Sequence, residues 1–315
     1  MRIYNINILA LFIFFQYGCS SKFIRHYKLV NEGHEQLVNK NFSAALQKYE
    51  TADKINKSNL FKNDLCKYLT ACYSDNKYKQ KKYFGEILNN LDCDNYISSL
   101  KEKGNFSFTK RQKMSIQTKN SATLFLDSLV DKDQFNRDFI SFKEKKNRDS
   151  LHLLHFLDYI KKYGFPNEKT TKINCFRSGT GTDLNRLEIL LLHFSGFKNA
   201  QLDSILINEA EKLNVSPEVL ASANFNIKEA TRFSLTYLII NDTLHINNVS
   251  LTNRKKINKM RLRYGLPSIE LEYLLIKNQD ELRDLGFRLN FSVNQIELPS
   301  IPDVFTPENI FVKLL

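Results

Sequence analysis

Residues 28–55 read KLVNEGHEQLVNKNFSAALQKYETADKI and carry the strongest structural signal in the chain. Apolar and small residues recur every three or four positions, which predicts two helices, over residues 28–39 and 42–55. Gly33 and Ala45 are small at the positions where two crossing helices approach each other closely. The stretch therefore predicts a tightly packed helical hairpin.

This hairpin resembles one tetratricopeptide repeat, and the matching offsets are Gly33, Phe42, Ala45, Tyr49 and Ala52. A single repeat cannot bury its own apolar face, because stacked neighbours complete the core. The following stretch, 60–91, has enough apolar residues for a second helical pair. Residues 28–98 are thus predicted to form a tetratricopeptide-like module. Its concave surface, with Tyr49 as a contact residue, either binds a protein or peptide partner or caps the rest of the chain.

Residues 99–120 are polar, basic and aperiodic, which predicts a linker. Residues 121–315 return to helical periodicity and are predicted to form a larger helical domain with a small β-hairpin around Asn241 and Asp242. Only 10 glycines and 6 prolines occur in 315 residues, which favours long helices. The predicted fold class is mainly α, with helical-repeat-like N-terminal hairpins followed by that larger domain.

Three features are expected inside the larger domain. A helix capped by Asp149 or Ser150 should end at the Gly164-Phe165-Pro166 turn. The apolar stretch from Leu184 to Phe194 should be a central core helix. Another helix should begin near Arg254 and end at Gly265.

The N-terminus predicts export. The apolar run Ile8 to Phe15 is too short to span about 30 Å of hydrocarbon, and it suits the h-region of a secretory signal. Gly18-Cys19-Ser20-Ser21 follows and resembles the cleavage box of bacterial lipoproteins. Residues 1–18 are therefore predicted to be the signal peptide and 19–27 the anchor and tether. Lipid on Cys19 would hold the chain in the membrane. An ordinary secreted protein or an uncleaved anchor is the alternative.

The formal charge of +12 admits several partners. Nucleic acid is the weakest choice for an exported protein, so none is expected, and a compositional bias explains most of the charge. The densest basic stretch, 254–263, is predicted to be a solvated helix face, or else a contact with phospholipid head groups. Cys66, Cys72, Cys93 and Cys175 show no C-x-x-C spacing, so an envelope location permits either a disulfide among them or partly buried free thiols.

Five short motifs occur in a fixed order between residues 120 and 275. Together they resemble an exported bacterial family that is catalogued as a domain of unknown function. That family has Asp-Gln-x-x-Arg, Gly-Trp/Phe-Pro, Gln-His and Tyr-Gly-Thr-Gln motifs. The matching residues here are Asp133-Gln134-x-x-Arg137, Asp149-x-x-His152, Tyr163-Gly164-Phe165-Pro166, Leu192-His193 and the run from Arg261 to Pro267.

The chain also departs from the family pattern. Leu192 stands where the family has glutamine, and Phe233 to Thr236 stand where Tyr-Gly-Thr-Gln is expected. An Asp-Arg pair is missing near Phe225 to Arg232. The resemblance implies that part of the family's polar site has been lost, which favours a binding or structural role.

Three residues are the candidates for chemistry. Asp133 and Arg137 stand four apart on a predicted helix and can pair, as a salt bridge or a substrate clamp. His193 is the best single candidate for a general base or a ligand. His152 and His155 lack a third metal ligand, and Gly179 to Gly181 lacks the context of a phosphate loop. No metal site and no cofactor are therefore expected.

The sequence thus predicts a lipid-anchored protein of the cell envelope, located at the outer membrane and facing the periplasm. A non-enzymatic role in binding a protein partner is the first functional prediction. The alternative is a diverged, hydrolase-like envelope enzyme with a site around His193. A third interpretation is a lipoprotein whose basic face lies on anionic lipid.

Overall fold

The computed structural model describes residues 22–92, 100, 102–103, 121–167, 171, 173–174, 186–194, 197, 199–224, 237–240, 243–247, 251–287, 294–295 and 311–312. Helices dominate these residues, which confirms the mainly α fold class. The elements are α1 (Lys22–Val38), α2 (Phe42–Ile55), α3 (Phe61–Tyr73), α4 (Lys77–Asn90), β1 (Leu91–Asp92), α5 (Ser121–Gln134), a 3-10 helix (Arg137–Phe139), α6 (Phe142–Tyr163), β2 (Ile173–Asn174), α7 (Arg186–Phe194), α8 (Ala200–Glu211), α9 (Pro217–Asn224), β3 (Tyr237–Ile240), β4 (Thr243–Asn247), α10 (Leu251–Arg263), α11 (Ile269–Lys277), α12 (Gln279–Asp284), β5 (Asn294–Gln295) and β6 (Phe311–Val312).

The chain divides into two compact units. The first unit combines Met1–Lys57 with Phe225–Leu315, and the second is Ser58–Asn224. Among the described residues of either unit, no helix is both long enough and apolar enough to cross a bilayer.

The first unit is built on the hairpin of α1 and α2. One stripe of α1 is buried against its neighbours, and its members are Phe23, His26, Tyr27, Val30, Gly33 and Leu37. The helices cross closely at Gly33, where an added Cβ atom would lie 2.8 Å from Tyr49 Cδ1. The close crossing predicted at Gly33 is therefore present in the structure.

Helices α10 and α11 complete the helical part of this unit by packing against α1. Gly265, in the turn between them, has a φ of +72°, and an added Cβ atom would lie 2.9 Å from Tyr27 Cβ. Asn31 Nδ2 donates to Gly265 O at 3.1 Å. Arg261 is buried, donates from Nε to Pro267 O at 2.7 Å and pairs with Glu272. The run from Arg261 to Pro267 therefore has a structural role in this unit, and Arg261 does not belong to a solvated basic face.

Four short strands of the first unit form one sheet in the order β5-β3-β4-β6. Strands β3 and β4 are antiparallel, with Tyr237 opposite Ile246 and Ile240 opposite Thr243. Strand β5 is parallel to β3, and β6 is antiparallel to β4.

The second unit is mainly helical. Helix α7 packs against α5, α6 and α9, and α8 packs against α9. The helix expected from Leu184 to Phe194 is present as α7, with buried residues Leu187, Leu190, Leu191 and Phe194. The segment just before α3 contacts the rest of this unit, because Asn59 donates from its backbone N to Leu213 O at 3.2 Å. Lys62 also pairs with Glu218 at 2.8 Å. Cys66 and Cys72, both in α3, are free thiols, whereas Cys93 and Cys175 lie outside the described residues.

The two units do not follow the predicted boundaries. The expected module 28–98 is divided, because α1 and α2 belong to the first unit and α3 and α4 to the second. The expected tether 19–27 is also shorter, since α1 begins at Lys22 and buries Phe23 and Tyr27. An apolar stripe shows that a helix face is covered but does not identify the element that covers it.

Tyr49 does not lie on an exposed groove, so its prediction as a contact residue for a partner is wrong. Only 4% of its surface is exposed. Its ring fills the space that Gly33 leaves open, and its hydroxyl lies 2.8 Å from His34 Nδ1. The aromatic residue that matches the repeat pattern is a packing residue here.

Candidate functional site

Three segments of the second unit bring five polar residues together. Asp133 lies in the last turn of α5, and Arg137 begins the 3-10 helix that follows. Asp149 and His152 are three residues apart on one face of α6. His193 is in the last turn of α7. We refer to these five residues as the Asp-Arg-His cluster.

Helix α6 starts earlier than the sequence analysis predicted. Its N-cap is Ser141, whose Oγ accepts from Glu144 N at 3.3 Å, while Glu144 Oε2 accepts from Ser141 N at 2.8 Å. This is a capping box, and its Ser-x-x-Glu signature is present in the sequence. The predicted caps Asp149 and Ser150 are therefore inside the helix. Asp149 therefore lies in the second turn of the helix, where its carboxylate pairs with Arg137.

Hydrogen bonds from Arg148 hold the connection between α5 and α6 in place. Asn136 has a left-handed backbone with φ 52°, which ends the helical run after Gln134. Arg148 Nη1 then donates to the carbonyl oxygens of Lys132 and Asp133, both at 3.3 Å, and to that of Phe135. Asp133 and Arg137 were predicted on one helix. They pair across this turn instead.

Arg137 joins two carboxylates. Its Nη1 donates to Asp133 Oδ1 at 2.9 Å and to Asp149 Oδ1 at 2.7 Å, and its Nη2 donates to Asp149 Oδ2 at 3.0 Å. Asp133 is fully buried and Arg137 is mostly buried. One cation between two anions leaves a formal charge of −1 while the histidines are neutral.

Asp133 also holds His193. The Asp133 Oδ2 atom lies 2.8 Å from His193 Nδ1 and accepts from Gln134 Nε2 at 2.7 Å. Burial alone would raise the pKa of the Asp133 carboxyl. The hydrogen bond and charge of His193, together with Arg137 and Asp149, lower this pKa to about 2. Asp133 is therefore a carboxylate at neutral pH.

An ionised Asp133 assigns the tautomer of His193. A carboxylate only accepts hydrogen bonds, so Nδ1 carries a proton, and in the neutral form of the ring Nε2 holds the lone pair. One quarter of the His193 side chain is exposed. Within the described part of the chain, this ring makes its hydrogen bond to Asp133 alone. Its Nε2 atom can therefore accept a proton from a molecule that enters the site.

His152 is the buried histidine of the cluster. Its Nδ1 lies 3.4 Å from Asp133 Oδ1 but has no aligned hydrogen-bond partner among the described residues. Burial lowers its pKa below the ordinary value of 6.5. The charge of Arg148 also lowers it, and Asp133 and Asp149 act in the opposite direction. The folded protein thus favours neutral His152.

We expect His152 to make stability depend on pH. The unfolded chain takes up the proton first as pH falls below 6.5. The stability contributed by neutral His152 is therefore present above pH 6.5 and is lost as pH falls through the lower folded-state pKa. Urea unfolding at several values between about pH 7.5 and 5 should show this loss, and His152→Gln should reduce the slope. His155→Gln, at an exposed neighbour on α6, is the control. Equal slopes in wild type and His152→Gln would contradict the expectation.

Asp133, Asp149 and His193 also qualify as metal ligands by distance. One ligand atom from each lies within 4.8 Å of the other two. However, Arg137 already bridges the two carboxylates, and a cation bound by both would have to displace it. The geometry thus supports proton transfer at His193 better than metal binding. The expectation that the chain uses no metal or other cofactor stays a prediction.

The Gly164-Phe165-Pro166 turn is linked to the cluster through aromatic contacts. Phe165 packs edge-on against Phe156 of α6, with ring centroids 6.2 Å apart. Phe156 in turn packs against Phe194, next to His193, at 5.5 Å. This aromatic row fixes the end of α7 against α6.

The structure therefore unites four of the five sequence motifs and brings together the three predicted site residues, Asp133, Arg137 and His193. Asp149 is a site residue that the sequence motifs did not predict, although its spacing to His152 and the Ser-x-x-Glu cap are both signals for it. The motif from Arg261 to Pro267 lies in the other unit. Gly179 to Gly181, Phe225 to Arg232 and Phe233 to Thr236 lie outside the described residues. His155 is exposed while His152 is buried, so the two do not form a pair of ligands.

No protein-family model matches this chain, and neither curated proteins nor solved structures gave a significant match.

Proposed function

We propose that the protein is a lipid-anchored enzyme of the cell envelope, at the outer membrane and facing the periplasm, with His193 as the general base of a hydrolytic reaction. The supporting observation is the hydrogen bond from His193 to the buried, ionised Asp133. The proposed location rests on the lipoprotein-like cleavage box at Cys19.

The proposed mechanism uses the two nitrogen atoms of the His193 ring. Nε2 takes a proton from water while the water oxygen bonds to an electrophilic carbon of the substrate. Asp133 holds the ring and stabilises the imidazolium that forms, as the acid does in a serine-hydrolase triad. The imidazolium then returns the proton to the departing oxygen when the bond to it breaks. Atoms and protons therefore balance without a cofactor.

The charge of the cluster indicates the class of substrate. Within the five-residue cluster, two carboxylates and one guanidinium leave a net negative charge while the histidines are neutral, and Arg137 is engaged by Asp133 and Asp149. The neighbouring Arg148 donates to backbone carbonyl oxygens, so its guanidinium is also directed at the protein. Like charges repel strongly in a partly buried site. A neutral acyl carbon, such as that of an ester, is therefore a better substrate than a phosphodiester anion.

One experiment tests the anchor and the chemistry together. Wild type, Cys19→Ala and His193→Gln are expressed, recovered from membrane and soluble fractions, purified, and assayed with p-nitrophenyl butyrate and bis-p-nitrophenyl phosphate. Wild type should be membrane-bound, incorporate radiolabelled palmitate and prefer the ester, and Cys19→Ala should be active but incorporate no palmitate. His193→Gln should be membrane-bound and lose activity about 100-fold, the lower end for an acid-base residue.

Control measurements separate catalysis from structural support. His155→Gln should keep full activity, because this histidine is exposed and outside the cluster. Because His193→Gln also removes the Nδ1 hydrogen bond to Asp133, its urea unfolding is measured alongside, and activity is compared where both proteins are fully folded. Unchanged ester hydrolysis in His193→Gln would refute the catalytic proposal. A chelator that abolishes wild-type activity would point to a metal at Asp133, Asp149 and His193 instead.

Binding of a protein partner, the first prediction from sequence, stays a prediction. The buried position of Tyr49 removes the residue to which that prediction assigned the contact. A partner of the α1 and α2 hairpin would have to use other side chains.

A further inference from the structure

Three phenylalanines project from the connection between α5 and α6. Phe135, Phe139 and Phe142 lie within eight residues and are 68%, 90% and 83% exposed. Single exposed apolar residues are ordinary on a protein surface, but three large aromatic side chains this exposed within one short connection are unusual. We call these three residues the Phe patch.

The Phe patch is exposed on a firmly held backbone. Arg148 bonds three carbonyl oxygens before the turn, and Arg137 bonds both Asp133 and Asp149. The capping box at Ser141 fixes the backbone just before Phe142. Hydrogen bonds within the fold therefore fix the backbone that holds the three phenylalanines at the surface.

The side chains around the Phe patch favour a bilayer over a protein. Exposed lysines flank it on both sides at Lys132, Lys143 and Lys146. Among residues 131–146 whose exposure is described, the exposed acids are Asp131 and Glu144, and the Glu144 carboxylate is engaged by Ser141. Lysine is depleted in protein interfaces, whereas phenylalanine beside lysine is typical of segments that lie in the head-group region. The chain's charge of +12 adds a general attraction to anionic lipid.

We propose that the Phe patch is a membrane-docking surface that inserts into the head-group region of an anionic bilayer. The same connection carries Arg137 and directly follows Asp133, so docking would bring the Asp-Arg-His cluster to the lipid surface. The docking surface depends neither on catalysis by His193 nor on lipid at Cys19. It can therefore fail or succeed separately from the proposed function.

The first test uses the full chain from Ser20 onward, which lacks the acylated residue. Binding is measured by cosedimentation with vesicles of equal phosphatidylglycerol and phosphatidylcholine. Replacing all three phenylalanines of the patch with serine should weaken binding about 10-fold or more. Tyr78→Ser, at an 81% exposed aromatic on α4, is the matched control and should bind like wild type. His193→Gln should also bind normally.

A second test reports insertion directly. The chain has no tryptophan, so Phe139→Trp introduces a single fluorescent probe into the patch. Its emission should shift to shorter wavelength when vesicles are added, while the emission of a Tyr78→Trp variant should not respond. Equal vesicle binding by wild type and the triple serine variant, or no emission shift of Phe139→Trp relative to Tyr78→Trp, would overturn the proposal. A wild-type dimer that the triple serine variant abolishes, without vesicle binding, would identify a second copy as the occupant and also overturn it.

Discussion

Replacing Asp133 with asparagine is expected to lower the free energy of unfolding at pH 7 by about 3 kcal/mol, because the loss of one member of a buried ionic network leaves its partners uncompensated. Asp133 is fully buried and contacts Arg137, His193 and Gln134. Asparagine keeps the shape but not the charge, so no cavity contributes. Urea unfolding followed by circular dichroism measures the change.

The comparison variant is Asp131→Asn, two residues earlier in α5 at an exposed position. It should change stability by less than about 0.5 kcal/mol, as surface substitutions usually do. A second check uses acid. The lowered pKa means that the carboxylate of Asp133 contributes fully above pH 3.8 and loses its contribution as pH falls toward 2. The difference between wild type and Asp133→Asn should therefore shrink in this range. A similar small effect of both variants at pH 7 would show that the cluster does not contribute to stability.

Gly33→Val is expected to destabilise the first unit by about 3 kcal/mol, the upper part of the range for overpacking a core. A Cβ atom at this position would overlap the Tyr49 ring, with Cδ1 at 2.8 Å and Cζ at 3.0 Å. The ring cannot move away freely, because its hydroxyl is held by His34. Thermal or urea unfolding measures the loss.

Gly85→Val in α4 is the matched control. Gly85 is also inside a helix, but an added Cβ atom would have no neighbour within 4 Å. Its effect should stay within about 0.5 kcal/mol. The overlap itself is tested by repeating Gly33→Val in a Tyr49→Ala background, where the cost of valine should largely disappear. An equal cost of valine with and without the Tyr49 ring would mean that the ring is not the cause.

The proposed lipid on Cys19 and the proposed docking of the Phe patch would each bring the protein to a membrane. Cys19 is proposed to tether the first unit, and the second unit is proposed to carry its own lipid-binding connection. Helix α1 begins three residues after Cys19, so little free chain separates the proposed lipid from folded structure.

The sequence alone determined the helical architecture, because apolar spacing and scarce helix breakers are local properties. The hairpin of α1 and α2, the close approach at Gly33 and the core helix α7 could all be predicted in this way. The candidate residues Asp133, Arg137 and His193 were also identified from short motifs.

Tertiary structure alone decided which helices share a unit and which candidates meet. A buried stripe on α1 does not specify α10 and α11 as its cover, since many apolar faces are chemically equivalent. The contact between His193 and Asp133 spans 60 residues, and no local pattern encodes that distance. The same holds for Asp149, which joins the cluster because the packing of α6 turns it toward Arg137. Local spacing fixes the direction of a side chain on its own helix, and packing fixes what it faces.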